Sequence, residues 1–159
     1  MYRKRLNGQG GFSLIELIIV IAVLGILGAI ASYSYMGYVN NSNLRSAARD
    51  MAADMANTKQ KAVSEGLTYR TIISVDANTY TIERGDAAGA AFTVVETKSP
   101  TAFGTGLTIS STNYTSSQIT YRPRGTISAG NVVLINSRGS TATITSNITG
   151  RTHVSFTIK

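Results

Sequence analysis

Gly10-Gly11-Phe12-Ser13-Leu14-Ile15-Glu16-Leu17, running directly into IIVIAVLGILGAIA from Ile18 to Ala31, is the stretch that decides the fold. From Leu17 to Ala31 no side chain is charged or strongly polar. With Phe12 to Glu16 the run reaches about twenty residues, which at ~1.5 Å per residue crosses roughly one 30 Å hydrocarbon core. A helix is the only single segment that satisfies its own backbone in lipid, so the run predicts a membrane helix. Glu16 interrupts its N-terminal end. A carboxylate costs up to ~3 kcal/mol at mid-bilayer and less near the surface, which points to a partner for Glu16. The positive end of the helix dipole offsets about 0.3–1 kcal/mol of that cost.

Residues 1–11 form a basic, glycine-ended leader carrying Arg3, Lys4 and Arg5. A cleavable secretory signal has its small-residue site after the apolar core, whereas here the glycines come before it. The three cations hold the N-terminus in the cytoplasm by the positive-inside bias, so the rest of the chain is sent across the membrane. Removing the leader lowers the formal charge of +7 by three. There is no cysteine, which excludes disulfides and thiolate metal sites.

Gly11-Phe12-Ser13-Leu14-Ile15-Glu16 resembles the type III signal of type IV pilins and type II secretion pseudopilins. The resemblance implies that a prepilin peptidase cuts after Gly11 and that the new N-terminus, Phe12, is methylated. It implies that Glu16 acts in assembly by pairing with the N-terminal amine of a neighbouring subunit. The expected location is the inner membrane, single-pass, with the head in the periplasm. An inner-membrane assembly platform would then draw the subunit from the membrane lipid into a helical filament of other pilin or pseudopilin subunits. Major pilins carry a proline late in the apolar segment, near Tyr33 here, and many carry a disulfide near the C-terminus. This chain has neither, its first proline being Pro100.

Ala22, Gly25, Ala29 and Ser32 recur every three or four residues. They read either as a stripe for close helix approach or as the ordinary abundance of small residues in membrane helices. Beyond Ala31 the helix continues, with Leu44, Ala48, Met51, Met55, Ala62 and Val63 as an amphipathic stripe and Gly66 as its end. Tyr38 to Asn43 is polar enough to predict a bend or frayed turn. From Tyr69 the helical period gives way to short β-rich runs. These are Tyr69–Val75, Thr79–Arg84, Phe92–Lys98, Leu107–Ser110, Gln118–Tyr121, Val132–Ile135, Thr141–Thr145 and Arg151–Ile158. Asp76-Ala77-Asn78 is read as a hairpin turn, Gly85–Gly89 as a second turn and Pro100–Gly106 as a loop. In the last run Val154, Phe156 and Ile158 share the core face. The expected class is α+β: a long N-terminal helix, membrane-spanning then amphipathic, packed against an antiparallel β-sheet head. The divisions are 1–11 leader, 12–40 transmembrane and assembly half, 41–66 amphipathic half and 67–159 head.

Ala47 to Met55, Tyr121-Arg122-Pro123-Arg124-Gly125 and Gly150-Arg151 resemble the GspH/FimT-like subfamily of minor pilins and pseudopilins. That resemblance implies two antiparallel sheets packed on the helix. No enzyme constellation stands out: the one histidine, His153, has no acid beside it in sequence, and a triad is defined by geometry. No cofactor or metal is expected. From Thr97 onward the chain has Lys98, Arg122, Arg124, Arg138, Arg151 and Lys159 and no acid, a positive field for polyanions. Pro123 biases Arg122 to an extended backbone that would send Arg122 and Arg124 to one side. DNA binding is the alternative function, for which the charge distribution offers Arg122, Arg124, Arg138, Arg151 and Lys159. Some FimT-like minor pilins bind DNA through a C-terminal glycine-arginine motif, and the resemblance to them implies a role for Gly150-Arg151-Thr152-His153. His153 stands where the DNA-binding relatives have a second arginine. A basic face meeting solvent or an acidic neighbour is the competing reading.

Overall fold

A computed structural model describes residues 12–86 and 91–159, and side chains at all of these except 31–34. The leader with Gly11, the 87–89 part of the expected turn, and the side chains of Ser32 and Tyr33 lie outside the described residues. The contacts divide the chain into two units, up to Met36 and from Gly37 to Lys159.

One helix, α1 (Leu14–Glu65), runs through both units. Within the first unit the described side chains are exposed on every face, Phe12 and each apolar residue from Leu14 to Ile30 included. A helix segment apolar all round and exposed at every described side chain is what a lipid-facing segment looks like. At the other end Gly66 adopts φ +68°, the left-handed conformation that closes helices and that glycine takes without a Cβ penalty.

Among its described residues the second unit holds eight strands: β1 (Tyr69–Ser74), β2 (Thr79–Gly85), β3 (Phe92–Lys98), β4 (Thr108–Thr112), β5 (Gln118–Tyr121), β6 (Gly130–Ile135), β7 (Thr141–Ser146) and β8 (Thr152–Thr157). They form two four-stranded antiparallel sheets, ordered β3-β2-β1-β5 and β4-β6-β7-β8. The fold class is therefore the expected α+β, with the amphipathic part of α1 packed on antiparallel sheets. Leu44, Ala47, Ala48, Met51, Met55 and Ala62 of α1 share one core with Tyr69, Ile73, Tyr80, Ile119 and Tyr121 of the first sheet and Ile109, Val132, Leu134, Ala142 and Ile144 of the second. Asn78 ties the sheets together. Its amide donates to the Leu107 carbonyl at 2.9 Å and accepts from the Ile109 N–H at 2.7 Å.

Three local expectations are corrected. Tyr38 to Asn43 is helical, not bent. Its polar groups find partners in the second sheet's turn: Asn136 Nδ2 donates to the Asn40 carbonyl at 3.3 Å and to Asn41 Oδ1 at 2.9 Å. Val63 is 48 % exposed and does not belong to the core stripe. Thr58 takes the place between Met55 and Ala62; it is buried with its hydroxyl donating to the Asp54 carbonyl at 2.7 Å. Ile158 is 39 % exposed because β8 ends at Thr157, whereas Val154 and Phe156 do pack on the core.

Candidate functional site

The N-terminal candidates sit at the start of α1. The Glu16 N–H donates to Ser13 Oγ at 3.3 Å and to the Ser13 carbonyl at 3.1 Å, and the Leu17 N–H reaches the same carbonyl at 3.2 Å. Ser13 is thus the N-cap and Glu16 the third helical residue, the serine–x–x–glutamate spacing of a capping box. Sequence reasoning used the helix dipole for Glu16 and passed over this local motif. Phe12, immediately before the cap, is 81 % exposed.

The basic candidates fall into separate places. Arg122 to Gly125 is a tight turn, with the Gly125 N–H donating to the Arg122 carbonyl at 2.9 Å and the Arg122 N–H to the Thr126 carbonyl at 2.9 Å. Arg122 and Arg124 are both exposed, at the ends of a turn rather than on an extended strand, so the alternation argument for one shared side does not hold. A second turn, Asn147 to Gly150, closes on a 2.9 Å bond between the Gly150 N–H and the Asn147 carbonyl, and Arg151 follows it, exposed. Lys59 of α1 joins these turns: its Nζ donates to the Thr149 carbonyl at 3.2 Å, and its side chain lies against both Gly125 and Gly150. Gly150 has two reasons to be glycine, φ +77° and a Cβ position only 2.4 Å from Lys59 Nζ. Sequence reasoning missed Lys59, because nothing local links it to a turn ninety residues away.

Arg138 and Lys159 lie elsewhere. The Arg138 guanidinium rests against Gly37, and the Lys159 side chain against Gly139. From Gly37 to Lys59 a helix rises roughly 33 Å, so these two cations do not join the Arg122, Arg124 and Arg151 group. His153 is exposed on β8, opposite Thr145. Lys98 contributes little to a free positive field. Its Nζ bonds both carboxylate oxygens of Asp54 at 2.9 Å and lies 3.6 Å from Asp50 and 3.9 Å from Glu96.

Asp54 is the electrostatic joint between α1 and the first sheet. Besides Lys98 it accepts from the Tyr80 hydroxyl at 2.7 Å. Burial first, and then the Asp54 carboxylate, push the Tyr80 hydroxyl far above the usual phenol range. The bonds to Asp54 raise the Lys98 ammonium despite an opposing desolvation effect.

Comparison with known proteins gives two family matches. Residues 6–32 match the prokaryotic N-terminal methylation motif, and residues 47–150 match the type II transport protein GspH. Among solved structures the fold is similar to the minor pseudopilin EpsH from the type 2 secretion system of Vibrio cholerae. That match has a TM-score of 0.60 at 11% identity, over 71% of this chain and 96% of that one. It is also similar to the type IV minor pilin FimU of Pseudomonas aeruginosa, with a TM-score of 0.56 at 16% identity, over 74% of this chain and 92% of that one. A sequence search of curated proteins finds no significant match.

Proposed function

Because this chain belongs to the family of the type II transport protein GspH, we propose that it is a minor subunit that joins or primes a type II secretion pseudopilus or a type IV pilus. The observation that carries this is the capped apolar helix segment whose described side chains are all exposed, on a chain whose N-terminus matches a methylation motif. Family membership makes it a structural subunit. In this reading prepilin peptidase cuts after Gly11 and Phe12 is methylated. The chain then waits in the inner membrane with its head in the periplasm, until apolar helices pack together and Glu16 pairs with a neighbour's N-terminal amine.

Two substitutions separate assembly from capping. Gln at the third helical position still serves a capping box but carries no charge. Glu16→Gln and Glu16→Ala should therefore both enter the membrane, yet reach sheared filaments at least about tenfold less than the unmodified subunit, as expected when a buried charge loses its partner. The mass of the mature chain reports trimming and methylation in the same preparation. If Glu16→Gln assembles normally while Glu16→Ala does not, the carboxylate is only a cap.

The cluster of two turns that Lys59 joins, which bear the exposed Arg122, Arg124 and Arg151, favours a second reading, in which the subunit also binds DNA. Full-length chain in detergent should then retain duplex DNA with a steep salt dependence. Arg151→Gln should weaken retention of all sequences alike and reduce the salt slope by about one. Binding that ignores salt, or none at all, removes this reading and leaves the cluster as a face for an acidic neighbour.

A further inference from the structure

We propose that the face of α1 formed by Tyr38, Asn41, Ser42 and Arg45 binds the phosphate of an anionic phospholipid headgroup where the chain leaves the membrane; the inference rests on the membrane-anchored reading above. These residues are spaced three, four and seven apart and so share one side of the helix. They line a shallow concavity of about 160 Å³ that contains no carboxylate.

Each lining group can donate. Asn41 Oδ1 already accepts from Asn136, which leaves its amide N–H groups for a ligand. The Tyr38 and Ser42 hydroxyls rotate to donate, and a guanidinium matches two phosphate oxygens at once. The Arg45 guanidinium is placed over the Phe156 ring, 5.9 Å from its centroid, so its plane is supported by the head. Tyr38 is 73 % exposed, as an aromatic at a membrane surface would be.

The position along the chain matches the chemistry. Between Glu16 and Arg45 there is no charged residue. That uncharged stretch is longer than the roughly twenty residues that cross a hydrocarbon core. If Glu16 sits at one surface, Arg45 is the first charge to emerge at the other. A lipid phosphate is the anion found at that level.

The test uses full-length chain, first incorporated into vesicles of phosphatidylcholine with or without phosphatidylglycerol. Lipids retained after transfer to detergent are then read by native mass spectrometry. Phosphatidylglycerol should be retained over phosphatidylcholine, and Arg45→Gln should lower that preference about fivefold. Arg45→Lys should keep most of it, and Ser42→Ala should weaken retention with the charge untouched. Equal retention of the two lipids, or a preference unmoved by Arg45→Gln in a chain with native circular dichroism, overturns the proposal. Inorganic phosphate bound with the same Arg45 dependence in place of lipid overturns the lipid assignment. A chain that enters no vesicle of either composition instead sinks the membrane-anchored reading on which the proposal stands.

Discussion

Replacing Asp54 with Ala should lower the stability of the Gly37–Lys159 unit by about 3 kcal/mol. The substitution strands the Tyr80 hydroxyl, which sits on a residue only 4 % exposed and donates to that carboxylate. An unsatisfied buried donor costs about 1–3 kcal/mol. It also removes two short bonds from Lys98. That loss is discounted, because the ammonium keeps Asp50 and Glu96 within 4 Å and some access to water. Asp54→Asn keeps an acceptor for Tyr80 and should cost about half as much. The decisive comparison is a double substitution. With Tyr80→Phe added, Asp54→Ala should become less damaging, since no hydroxyl is left unpaired. Urea unfolding of full-length chain in detergent micelles measures all five proteins, the unmodified chain and Tyr80→Phe alone included. Equal losses for Asp54→Ala with and without Tyr80→Phe would refute this account of the joint.

That joint also shows where sequence reading stops. Asp54 and Lys98 were each legible as charges, but they stand 44 residues apart and only the packing of α1 on β3 pairs them. Lys98 therefore read as part of a free positive field. The strands were legible because each alternates apolar and polar residues between turn formers, a local property. Burial at Val63 and Ile158 was not, because a period shows which face is apolar without showing how far the covering layer extends. Tyr38 to Asn43 illustrates the converse. Its polarity was visible, but the side chain that accommodates it in a helix, Asn136, arrives from another element. At the candidate sites the Ser13–Glu16 cap lay within one helical turn and could have been read directly. The union of Lys59 with the Arg151 turn, and the gap between that turn and Arg138, needed the fold.

The chain should also unfold cooperatively on the alkaline side, between about pH 10 and 12. Tyr69, Tyr80, Tyr114 and Tyr121 are buried, and burial holds all four phenols above their ordinary value of 10.0. Below pH 10 the folded and unfolded chains both keep these protons, and the protonated phenols exert no pH-dependent drive to unfold. Above it the unfolded chain releases them while the folded chain does not, so stability falls as pH rises. Each such phenol contributes up to ~1.4 kcal/mol per pH unit while it stays protonated in the fold, and the four together at most about 5–6 kcal/mol per unit. Lys98 acts in the same direction. Its ammonium is raised above 10.5 by Asp54, so its contribution is complete below that value and is lost as pH climbs through the folded one. Against a typical total of about 5–15 kcal/mol, these terms suffice to unfold the head within two pH units. The chain has no tryptophan, so tyrosinate absorbance can be followed beside far-ultraviolet circular dichroism without interference. The buried phenols should ionise in step with the loss of β-structure. Tyr114→Phe should flatten the pH slope of stability by about a fifth, since it removes one of four such phenols that act together with Lys98. Buried phenols that ionise gradually near pH 10 while the β-structure persists would show that the core admits water, and the predicted slope would be wrong.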